Sequence, residues 1–444
     1  MSEAPRKKVV IAGGGFGGIY AALELDRWLF RFPDVDVTLV NRDNFFLFTP
    51  MLHEVAASDL DITNIVNPVR KLLSKVEFFD GDVETIDMEK RVVKVSHGTP
   101  DLHTHDLPFD HLVLSLGSIT NFFGLPGLEE RAITMKSLGD AITIRNRMLQ
   151  LLEEAETECG APGRDHLMTF VVAGGGFAGV ETIAGMNDFV HQALRFYPHI
   201  PREKVRMVLV HPGEVILPEL SEKLGRYAQK KLIERGVEIR LKTKVSCVTE
   251  KGVCLTDGTT LDAATIVWTA GTQPHPLAKT LPCRLEKGKV CVDEYLQVEG
   301  WPGVWALGDC ALVPDPLTGK FHPPTAQHAM RMGKRLARNI LSELRGAPKK
   351  KFSFRTIGQL ASLGRRTGVA NILGVNFSGF AAWWLWRTIY LSKLPRLEKK
   401  LRVALDWTWD LVFSKDLVKF LTVKGASISQ PQEREGARSI RAAS

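Results

Sequence analysis

Two glycine-rich stretches carry the residue types that a dinucleotide-binding site needs. Each follows an apolar run, at residues 9–12 and at residues 171–173, and the glycines are Gly13, Gly15 and Gly18, then Gly174, Gly176 and Gly179. In this pattern the first glycine makes a tight turn, the second lets a pyrophosphate approach the backbone, and the third lets helix and strand pack closely. The phosphates would lie on free N–H groups at the helix N-terminus. One such pattern is weak evidence, but two predict two dinucleotides on one chain, the usual arrangement for hydride transfer between nicotinamide and flavin.

The second strand of each unit should end in the side chain that binds the ribose. An acidic residue is expected there, about 20 residues after the glycines. Asn41 ends the first such strand, and it can hydrogen-bond a ribose hydroxyl without charge. His211 ends the second, where an acid would bind the ribose of NADH and repel the extra phosphate of NADPH. With a histidine there, the choice between NADH and NADPH stays open.

Further candidate residues lie where predicted strands end and helices begin. The runs 110–118 and 265–271 both end in small residues, which supports an internal duplication. Asp309 ends the strand at 303–308 and could accept hydrogen bonds from the ribityl chain of a flavin. The helix predicted to open at 323–333 has a positive dipole end that could stabilise a reduced, anionic flavin. The alternative is an ordinary helix that docks on the sheet.

Two segments near the first unit allow a functional and a plain interpretation. The aromatic loop at 44–52 could cover a flavin edge or could be a core-facing turn, and the pattern favours neither. Residues 78–95 alternate apolar and polar, as in an antiparallel hairpin sheet. Four histidines lie near its end, but spacing of this kind near a loop is typical of solvated side chains. We therefore predict no metal site at His97, His103, His105 and His111.

The chain has 444 residues, enough for two or three domains, and a formal net charge of +8. Strands alternating with helical patterns predict an α/β fold with two Rossmann-like domains and a C-terminal helical domain. None of the six cysteines forms a Cys-x-x-Cys pair, so zinc and thioredoxin-type sites are disfavoured. The N-terminus lacks an apolar signal core, and we expect a reducing compartment with free thiols.

The composition changes after residue 365. Residues 369–386 carry no charge, but their first half is rich in Asn and Gly, so we expect turns rather than a membrane span. Residues 379–394 combine tryptophans with a basic cluster, and a second helix follows with apolar residues at 405, 409, 412 and 413. This combination suits a helix lying in an anionic lipid headgroup layer. The alternative is the core of a homodimer interface; nucleic acid is disfavoured because the basic residues accompany large apolar faces.

The sequence resembles the type II NADH:quinone oxidoreductases, within the two-dinucleotide-binding flavoproteins of the pyridine nucleotide-disulfide oxidoreductase type. The resemblance covers residues 8 to about 423 and is carried by both glycine loops, residues 48–52, 269–271 and 308–309, the Ala326-Gln327-x-Ala329 motif and the tryptophan-rich end. It implies non-covalent FAD, NADH as substrate, a membrane quinone as acceptor, and peripheral attachment at the cytoplasmic face. The implied domains are an FAD-binding first part (1–125), an inserted NAD(P)H-binding domain (126–290), an FAD-binding second part (291–350) and a membrane-anchoring domain (351–423). Residues 424–444 are polar and lack periodicity, so we expect them to be a disordered tail.

By the same resemblance, individual positions receive roles. FAD contacts are implied for Gly13, Gly15, Phe16, Gly17, Gly18, Asn41, Arg42, Thr49, Val83, Gly117, Asp309, Ala326 and Gln327. NADH contacts are implied for Gly174, Gly176, Phe177, Ala178, Gly179, Glu181, His211 and Gly271. Catalytic roles fall to Glu181, Gln327 and Arg331, with Glu181 near the nicotinamide and Gln327 orienting the quinone. Glu181 or His328 would serve proton traffic.

This chain departs from the family pattern at three positions. The family usually has acids where this chain has Asn41 and His211, and a second glutamine where it has Arg331. Arg331 could hydrogen-bond a quinone carbonyl and stabilise its reduced anion, or it could mark a different acceptor. The expected cycle is ping-pong: NADH reduces the flavin, NAD⁺ leaves, and a quinone then takes two electrons and two protons, without proton pumping.

Three rival functions remain. A sulfide:quinone oxidoreductase needs two cysteines beside the flavin, one late in the chain; Cys159 could be the first, but none follows Cys310. A soluble NAD(P)H-dependent reductase of a non-quinone acceptor would use its C-terminal domain as an interface. A redox-sensing flavoprotein would bind NADH and signal by changing partner.

Overall fold

The computed structural model of the chain describes residues 6–98, 102–157 and 165–420; Cys159 and the tail predicted at 424–444 lie outside them. The strands in this part are β1 Lys7–Ala12, β2 Val35–Asn41, β3 Phe45–Leu47, β4 Val66–Pro68, β5 Glu77–Asp80, β6 Asp82–Asp87, β7 Val92–His97, β8 His103–Pro108, β9 His111–Leu114, β10 Ser118–Thr120, β11 Ile133–Thr134, β12 Thr169–Ala173, β13 Arg206–Val210, β14 Val237–Arg240, β15 Val245–Val248, β16 Gly252–Leu255, β17 Thr260–Asp262, β18 Thr265–Trp268, β19 Thr272–Pro274, β20 Leu285–Glu286, β21 Lys289–Cys291, β22 Val304–Ala306, β23 Ala311–Leu312, β24 Gly358–Ser362, β25 Gly368–Ile372 and β26 Val375–Gly379. The helices are α1 Phe16–Trp28, α2 Leu52–Ala56, α3 Ile62–Ile65, α4 Val69–Leu72, α5 Leu128–Arg131, α6 Leu138–Thr157, α7 Phe177–Ala193, α8 Glu222–Glu234, α9 Ala326–Leu344, α10 Phe380–Lys393 and α11 Leu397–Val412.

The first large sheet is parallel and has the order β22-β9-β1-β2-β5. Ile11 of β1 is opposite Leu39 on one side and Val113 on the other, so β1 is a central strand. Its run of buried aliphatic residues suits a strand covered on both faces. The strand order reverses at β1, and the glycine loop that follows it therefore opens into the crevice at the carboxyl edge of the sheet.

The second large sheet repeats this arrangement with the order β11-β18-β12-β13-β14. Here β12 is central, and Val172 lies between Leu209 of β13 and Val267 of β18. In both sheets the strand before the glycine loop is flanked by the next strand of its unit and by the strand that ends in small residues. The predicted α/β fold and its internal duplication are confirmed, while the predicted domain limits stay predictions.

A three-stranded antiparallel sheet, β6-β7-β8, lies in the chain between strands β5 and β9 of the first large sheet. The hairpin predicted from residue 78 starts too early, because Phe78 belongs to β5 and pairs in parallel with Leu39. The reason is that β5 is a half-exposed edge strand of the parallel sheet, so it alternates buried and exposed residues as a hairpin strand does.

The C-terminal part of the described chain begins with the antiparallel sheet β24-β25-β26 and continues into α10 and α11. The uncharged run 369–386 is broken by a tight turn at Leu373 and Gly374, which both have positive φ. The turns expected in its first half are confirmed. None of the helices in the described residues has the length and apolar composition needed to cross a bilayer.

The expectation that all cysteines carry free thiols is wrong for one pair. Cys247 and Cys254 face each other across the antiparallel strands β15 and β16 and form a disulfide. Directly opposed positions of such a pair bring two side chains close enough to bond, which spacing alone does not reveal. Among the described residues, Cys283, Cys291 and Cys310 are free.

Candidate functional site

The first glycine loop has the shape of a phosphate cradle. Gly13 has a φ of +104°, and a Cβ there would collide with the Ser115 carbonyl. A Cβ at Gly18 would collide with the Gly13 carbonyl, because α1 starts directly against the end of β1. The backbone N–H of Gly14 donates to Asn41 Oδ1 at 2.8 Å, which fixes the loop to the end of β2.

The second glycine loop has the same construction. Gly174 has a φ of +117°, and a Cβ at Gly179 would collide with the Gly174 carbonyl. The N–H of Gly175 donates to Nδ1 of His211 at 3.2 Å. Burial lowers the pKa of His211, so its imidazole is neutral at neutral pH, with the proton on Nε2. The duplication therefore extends to one side chain–backbone hydrogen bond in each unit.

The first cradle leaves room for a dinucleotide, and the second is partly covered by a side chain. A Cβ at Gly15 or at Gly117 would face open space, although neighbouring glycines are tightly enclosed. At Gly176 the nearest atom is a carboxylate oxygen of Glu219, 3.3 Å from an added Cβ. The first loop thus fits a pyrophosphate, whereas at the second loop the exposed, negatively charged side chain of Glu219 has to move away before a pyrophosphate can bind. Glu219 was missed by sequence reasoning, since it lies 43 residues beyond Gly176 in a segment without a strand or helix pattern.

A hydrogen-bonded chain connects Asp309 to the second unit. Ser118 Oγ donates to Asp309 Oδ2 at 2.8 Å, and Lys136 Nζ donates to the Ser118 carbonyl at 2.9 Å. Burial lowers the pKa of Lys136. Asp309 is therefore held in place at the carboxyl end of the first sheet. No sequence signal indicated Lys136, because it belongs to the other predicted domain.

The aromatic loop predicted at 44–52 packs into the core. Phe46 and Phe48 are both buried, and the ring of Phe16 contacts them at centroid distances of 5.0 and 5.7 Å. Phe48 also contacts Tyr390 of α10 at 6.3 Å. Of the two interpretations, the core-facing one describes Phe46 and Phe48.

Glu181 lies under the C-terminal sheet and helix. Its Oε1 accepts hydrogen bonds from the Ser362 backbone N–H and from Trp386 Nε1–H, both at 3.0 Å. Its Oε2 is 3.7 Å from Nδ1 of His53. Burial raises the pKa of Glu181 to about 8 and lowers that of His53 to about 3, so both groups are neutral at neutral pH. The sequence indicated Glu181 but none of its three partners.

A second buried carboxyl, Glu54 on α2, lies beside Glu181. Trp407 Nε1–H donates to Glu54 Oε2 at 3.1 Å. Burial raises the pKa of Glu54 to about 8, although the positive charge of Arg387 opposes this shift. Lys415 pairs with Asp59 at 2.5 Å in the same region. Polar contacts from both C-terminal helices therefore converge on α2 and α7, and the sequence predicted none of them.

The start of α9 brings the predicted acceptor residues together. Gln327 Nε2 donates to the Gly358 carbonyl at 3.1 Å, which ties α9 to β24. Arg331 Nη1 donates to the Gln327 carbonyl at 2.8 Å, and its guanidinium lies 4.0 Å from the centre of the Phe354 ring. His328 is buried next to Thr325, and burial lowers its pKa to about 4. A neutral imidazole in that position can relay a proton but carries no charge.

The remaining predicted contact positions lie at the starts of helices, in loops and on strand β6. Phe16, Phe177 and Ala178 begin α1 and α7, and Ala326 begins α9. Gly17 is covered by Leu307, and Gly271 by the ring of Phe123. The other three are Arg42 and Thr49, which are exposed, and Val83, which is half-buried in β6. Their contacts with a dinucleotide stay predictions.

The histidines near the β6-β7-β8 sheet form a local pair. Nε2 of His97 and Nε2 of His105 are 2.8 Å apart, and the two rings stack. Within residues 6–98, 102–157 and 165–420, no group of three His, Cys, Asp or Glu side chains is arranged to hold a metal ion.

Comparison with known proteins agrees with this geometry. A family model of pyridine nucleotide-disulphide oxidoreductases matches residues 7–333, and a model of the NDH2 C-terminal domain matches residues 357–416. The type II NADH:quinone oxidoreductase Ndh of Mycobacterium tuberculosis is 34% identical over 425 residues, covering 92% of this chain and 89% of that protein. A probable NADH dehydrogenase of Dictyostelium discoideum is 31% identical over 421 residues, covering 93% and 91%.

A solved structure supports the same fold over nearly the whole chain. The structure of NDH2 from Plasmodium falciparum in complex with NADH matches with a TM-score of 0.85 at 20% identity, covering 93% of this chain and 100% of that one. The chain therefore belongs to the type II NADH:quinone oxidoreductase family, within the pyridine nucleotide-disulphide oxidoreductases.

Proposed function

We propose that this protein is an FAD-dependent NADH:quinone oxidoreductase. Bound FAD would supply the hydride acceptor for NADH and the two-electron donor for a quinone. The observation that carries this function is the duplicated cradle: two parallel sheets, each with the same glycine loop at the strand where its order reverses, and each with the same bond to the end of the next strand. One enzyme thereby has a separate place for each dinucleotide.

The first unit is assigned to FAD and the second to NADH. Gly13, Gly15 and Gly18 would hold the pyrophosphate of FAD, and Asp309 its ribityl chain. The reason for placing the ribityl chain at Asp309 is that Ser118 and Lys136 fix this carboxylate at the end of the same sheet. NADH would lie on the second loop, with its adenosine ribose near His211.

We assign the acceptor end to the start of α9. The side-chain amide N–H of Gln327 donates to the Gly358 carbonyl of β24, which leaves the side-chain oxygen able to accept a hydrogen bond. That oxygen could accept from a hydroxyl of the reduced quinone or from a water molecule that contacts the quinone. Arg331 supplies a positive charge one helical turn further on. A guanidinium in this position stabilises the negative charge that develops on a quinone oxygen during reduction.

Glu181 is the residue that we propose for proton transfer. It is neutral at neutral pH and therefore has a proton to give, and it is bonded to two donors that stabilise the carboxylate left behind. Its placement under the C-terminal helices keeps bulk water away from that proton. Glu54 lies close enough to raise the pKa of Glu181 further.

We further propose that the C-terminal helices bind a lipid surface as peripheral elements. Leu397, Leu401, Leu405 and Trp409 recur every four residues on α11, and each is more than half exposed. The opposite side of α11 is buried through Val403 and Trp407, so the helix has two apolar faces and only one packs on the protein. Trp383 and Trp386, which the sequence grouped with the lipid-facing aromatics, are buried in the protein instead.

Charge favours the cytoplasmic face of the membrane as the place of attachment. Basic residues lie close to the start of α11: Lys393 ends α10, Arg396 precedes α11 and pairs with Glu398, and Lys400 lies on α11 itself. The cytoplasmic leaflet is the anionic one, and each basic residue near it adds to attraction. A homodimer formed through the same face is the alternative, and the molar mass of the purified protein in solution tests it.

The experiment that tests the proposed reaction is steady-state oxidation of NADH and NADPH with a series of quinones, with and without lipid. We expect yellow protein with bound FAD that reduces a short-chain quinone with NADH. A colourless preparation that cannot take up FAD would refute the proposal. FAD-loaded protein that oxidises NADH only with a protein acceptor would favour the soluble reductase instead.

A further inference from the structure

A groove of about 490 Å³ lies where α1 and α9 end side by side. The two helices run in the same direction, since Gly333 of α9 packs on the start of α1 and Arg338 bonds to Glu24, one turn before the end of α1. The 13 residues of α1 span about 20 Å, so the groove lies about that far from the glycine loop of the first unit. Its volume is in the range of small-molecule sites, and nothing in the proposed reaction uses it.

Five positively charged side chains form part of the wall of this groove. They are Arg31, Arg335, Arg338, Arg345 and Lys350. In the described part of the chain, the only carboxylate paired with any of them is that of Glu24. Its Oε1 accepts a hydrogen bond from Arg338 Nε at 2.7 Å and one from Trp28 Nε1 at 3.1 Å. The groove therefore carries more positive charge than its own ion pairs neutralise.

Stabilisation of the helix ends accounts for part of this charge. A helix C-terminus carries the equivalent of about half a negative charge, and basic residues near it are stabilising. Arg345 directly follows α9 and donates to the Arg31 carbonyl, just beyond α1, at 2.7 Å. The two helix ends and Glu24 together balance about two of the five positive charges. About three positive charges are left for a ligand.

Arg335 is the clearest sign of this excess. It lies about two and a half turns before the end of α9, too far inside the helix to act on its C-terminus. Its side chain is half-buried and has no hydrogen-bond or ion-pair partner among the residues that the structure describes. A half-buried guanidinium without a counter-charge is a favourable place for an anion.

The arginines and the aromatic rings together indicate the class of ligand. The Arg345 guanidinium lies 3.9 Å from the centre of the Phe32 ring, and the Arg31 guanidinium lies 4.9 Å from that of Trp28. Stacking uses the face of a guanidinium and leaves N–H donors for hydrogen bonds, which suit the paired oxygens of a phosphate group. One phosphate group carries at most two negative charges, so two linked phosphates match the excess better.

We propose that this groove binds a soluble compound that carries a diphosphate group. The phosphates select the ligand, because Trp28 and Phe32 are already stacked with arginines. Among the described residues that line the groove, none is assigned to FAD, NADH or the acceptor, and none belongs to α10 or α11. A lipid headgroup with two phosphates has the same chemistry, but the exposed apolar face of α11 is not part of this wall. We therefore assign the groove to a soluble ligand.

The test uses the full-length, FAD-loaded protein with saturating NAD⁺, so that both glycine loops are occupied when pyrophosphate is added as the probe. Titration calorimetry should show saturable binding of pyrophosphate and at least tenfold weaker binding of inorganic phosphate. ADP should bind about as tightly as pyrophosphate, because the rings add no contact to a base. If pyrophosphate shows no saturable binding, the inference is wrong.

Arg31→Gln combined with Lys350→Gln removes two of the cations and keeps the hydrogen bonds made by the backbones of both residues. We expect this variant to bind pyrophosphate at least tenfold more weakly, since one charge-assisted hydrogen bond contributes about that factor. The matched control combines Arg195→Gln with Lys320→Gln, which removes the same charges from exposed sites outside the groove. It should bind pyrophosphate as the unchanged protein does, and an equal loss in both double variants would overturn the assigned site.

Arg335→Gln is a second, independent variant. Because the Arg335 side chain has no partner among the described residues, its Tm without pyrophosphate should equal that of the unchanged protein. The rise in Tm that pyrophosphate causes should be smaller in this variant. A rise as large as in the unchanged protein would place the bound pyrophosphate elsewhere and contradict the inference.

Vesicles distinguish the soluble ligand from a lipid headgroup. The two compositions are phosphatidylcholine alone and an equimolar mixture with cardiolipin, whose headgroup has two phosphates. We expect the Arg31/Lys350 variant to bind both kinds of vesicle as the Arg195/Lys320 control does. If it binds the cardiolipin vesicles at least tenfold more weakly than this control, and pyrophosphate does not bind the unchanged protein, the groove holds a lipid headgroup and the soluble assignment is wrong.

Discussion

At the scale of single residues, Asn41 and His211 occupy the two positions where the family usually has an acid, and they have related roles in this chain. Asn41 accepts a hydrogen bond from the backbone N–H of Gly14, and His211 accepts one from the backbone N–H of Gly175. The sequence identified both as departures, and it could do so because the position is fixed by local spacing. It could not show that the substituted side chains still hold the loop, since that depends on the loop's path in space.

A substitution at His211 tests how the nicotinamide substrate is selected. We expect His211→Asp to raise the ratio of kcat/KM for NADH to that for NADPH roughly tenfold or more, because a carboxylate near the ribose repels the extra phosphate. Aspartate also offers an acceptor to the Gly175 N–H. The measurement is steady-state kinetics with both substrates at one ionic strength. Asn41→Asp is the control in the other unit, and an unchanged ratio in His211→Asp would argue against the assigned ribose position.

The buried carboxyl of Glu181 makes stability depend on pH. Its pKa is raised by burial from 4.5 to about 8, so between these values the native protein holds a proton that the unfolded chain releases. The stabilisation is complete below about pH 4.5 and is lost as the pH rises through about 8. Glu181→Gln removes this titration and keeps a carbonyl acceptor for Trp386 and Ser362. We therefore expect the difference in the free energy of unfolding, variant minus unchanged protein, to increase steadily from pH 4.5 to about pH 8.

Denaturant unfolding of the FAD-loaded protein at a series of pH values measures this difference. Glu181→Ala is the contrasting variant, because it leaves the Trp386 N–H buried without an acceptor. It should be less stable at every pH by about 1–3 kcal/mol. A stability difference between Glu181→Gln and the unchanged protein that does not vary with pH would mean that the carboxyl is ionised in the native state.

At the scale of elements, the sequence predicted the units that depend on neighbouring residues. It missed the contacts between helices that lie far apart in the chain. The strand–glycine–helix units and the helix at 326–344 follow from short patterns, and they are where the sequence placed them. The docking of α10 and α11 on α2 and α7 was not predicted. The reason is that α11 has two apolar faces, and its pattern does not tell which one packs on the protein and which one remains exposed.

The contact between α1 and α9 depends on Gly333, a glycine outside the two nucleotide-binding motifs. A Cβ at Gly333 would meet the backbone of α1, at 2.9 Å from the Ala21 nitrogen and even closer to the Gly17 carbonyl. We expect Gly333→Ala to destabilise the protein by about 1–3 kcal/mol through overpacking, in spite of the better helix propensity of alanine. Because the first turn of α9 carries Ala326 and Gln327, two positions expected to contact FAD, the variant should also weaken FAD retention.

The matched control is Gly139→Ala near the start of α6, where a Cβ would meet only Ser137 Oγ at 3.6 Å. This variant should be as stable as the unchanged protein or more stable by up to about 1 kcal/mol. Thermal unfolding of both variants, with FAD release followed by fluorescence, is the measurement. Similar Tm values for the two variants would show that α1 and α9 can separate without cost.

At the scale of the whole molecule, the C-terminal helices have two roles that a deletion cannot separate. Trp386 is fully buried, Trp407 is nearly so, and their indole N–H groups satisfy Glu181 and Glu54. Removing these helices would expose two neutral carboxyls and the apolar surface of α2 and α7. Loss of lipid binding in a truncated protein would therefore say nothing about the lipid-facing surface itself, and the exposed face of α11 has to be altered by point substitutions.

Leu401→Ser combined with Leu405→Ser is the variant that tests this face. Both leucines are more than half exposed, so the fold should remain intact, while insertion into a bilayer loses two large apolar side chains. Since burying a leucine contributes about 1.5–3 kcal/mol, we expect affinity for phosphatidylcholine vesicles to fall at least tenfold. The control combines Ile233→Ser and Leu317→Ser, two exposed apolar residues outside the C-terminal region, and it should float with vesicles as the unchanged protein does. If the α11 variant still floats but elutes as a smaller species in gel filtration, then a second copy of the chain covers this face, and the lipid contact lies elsewhere.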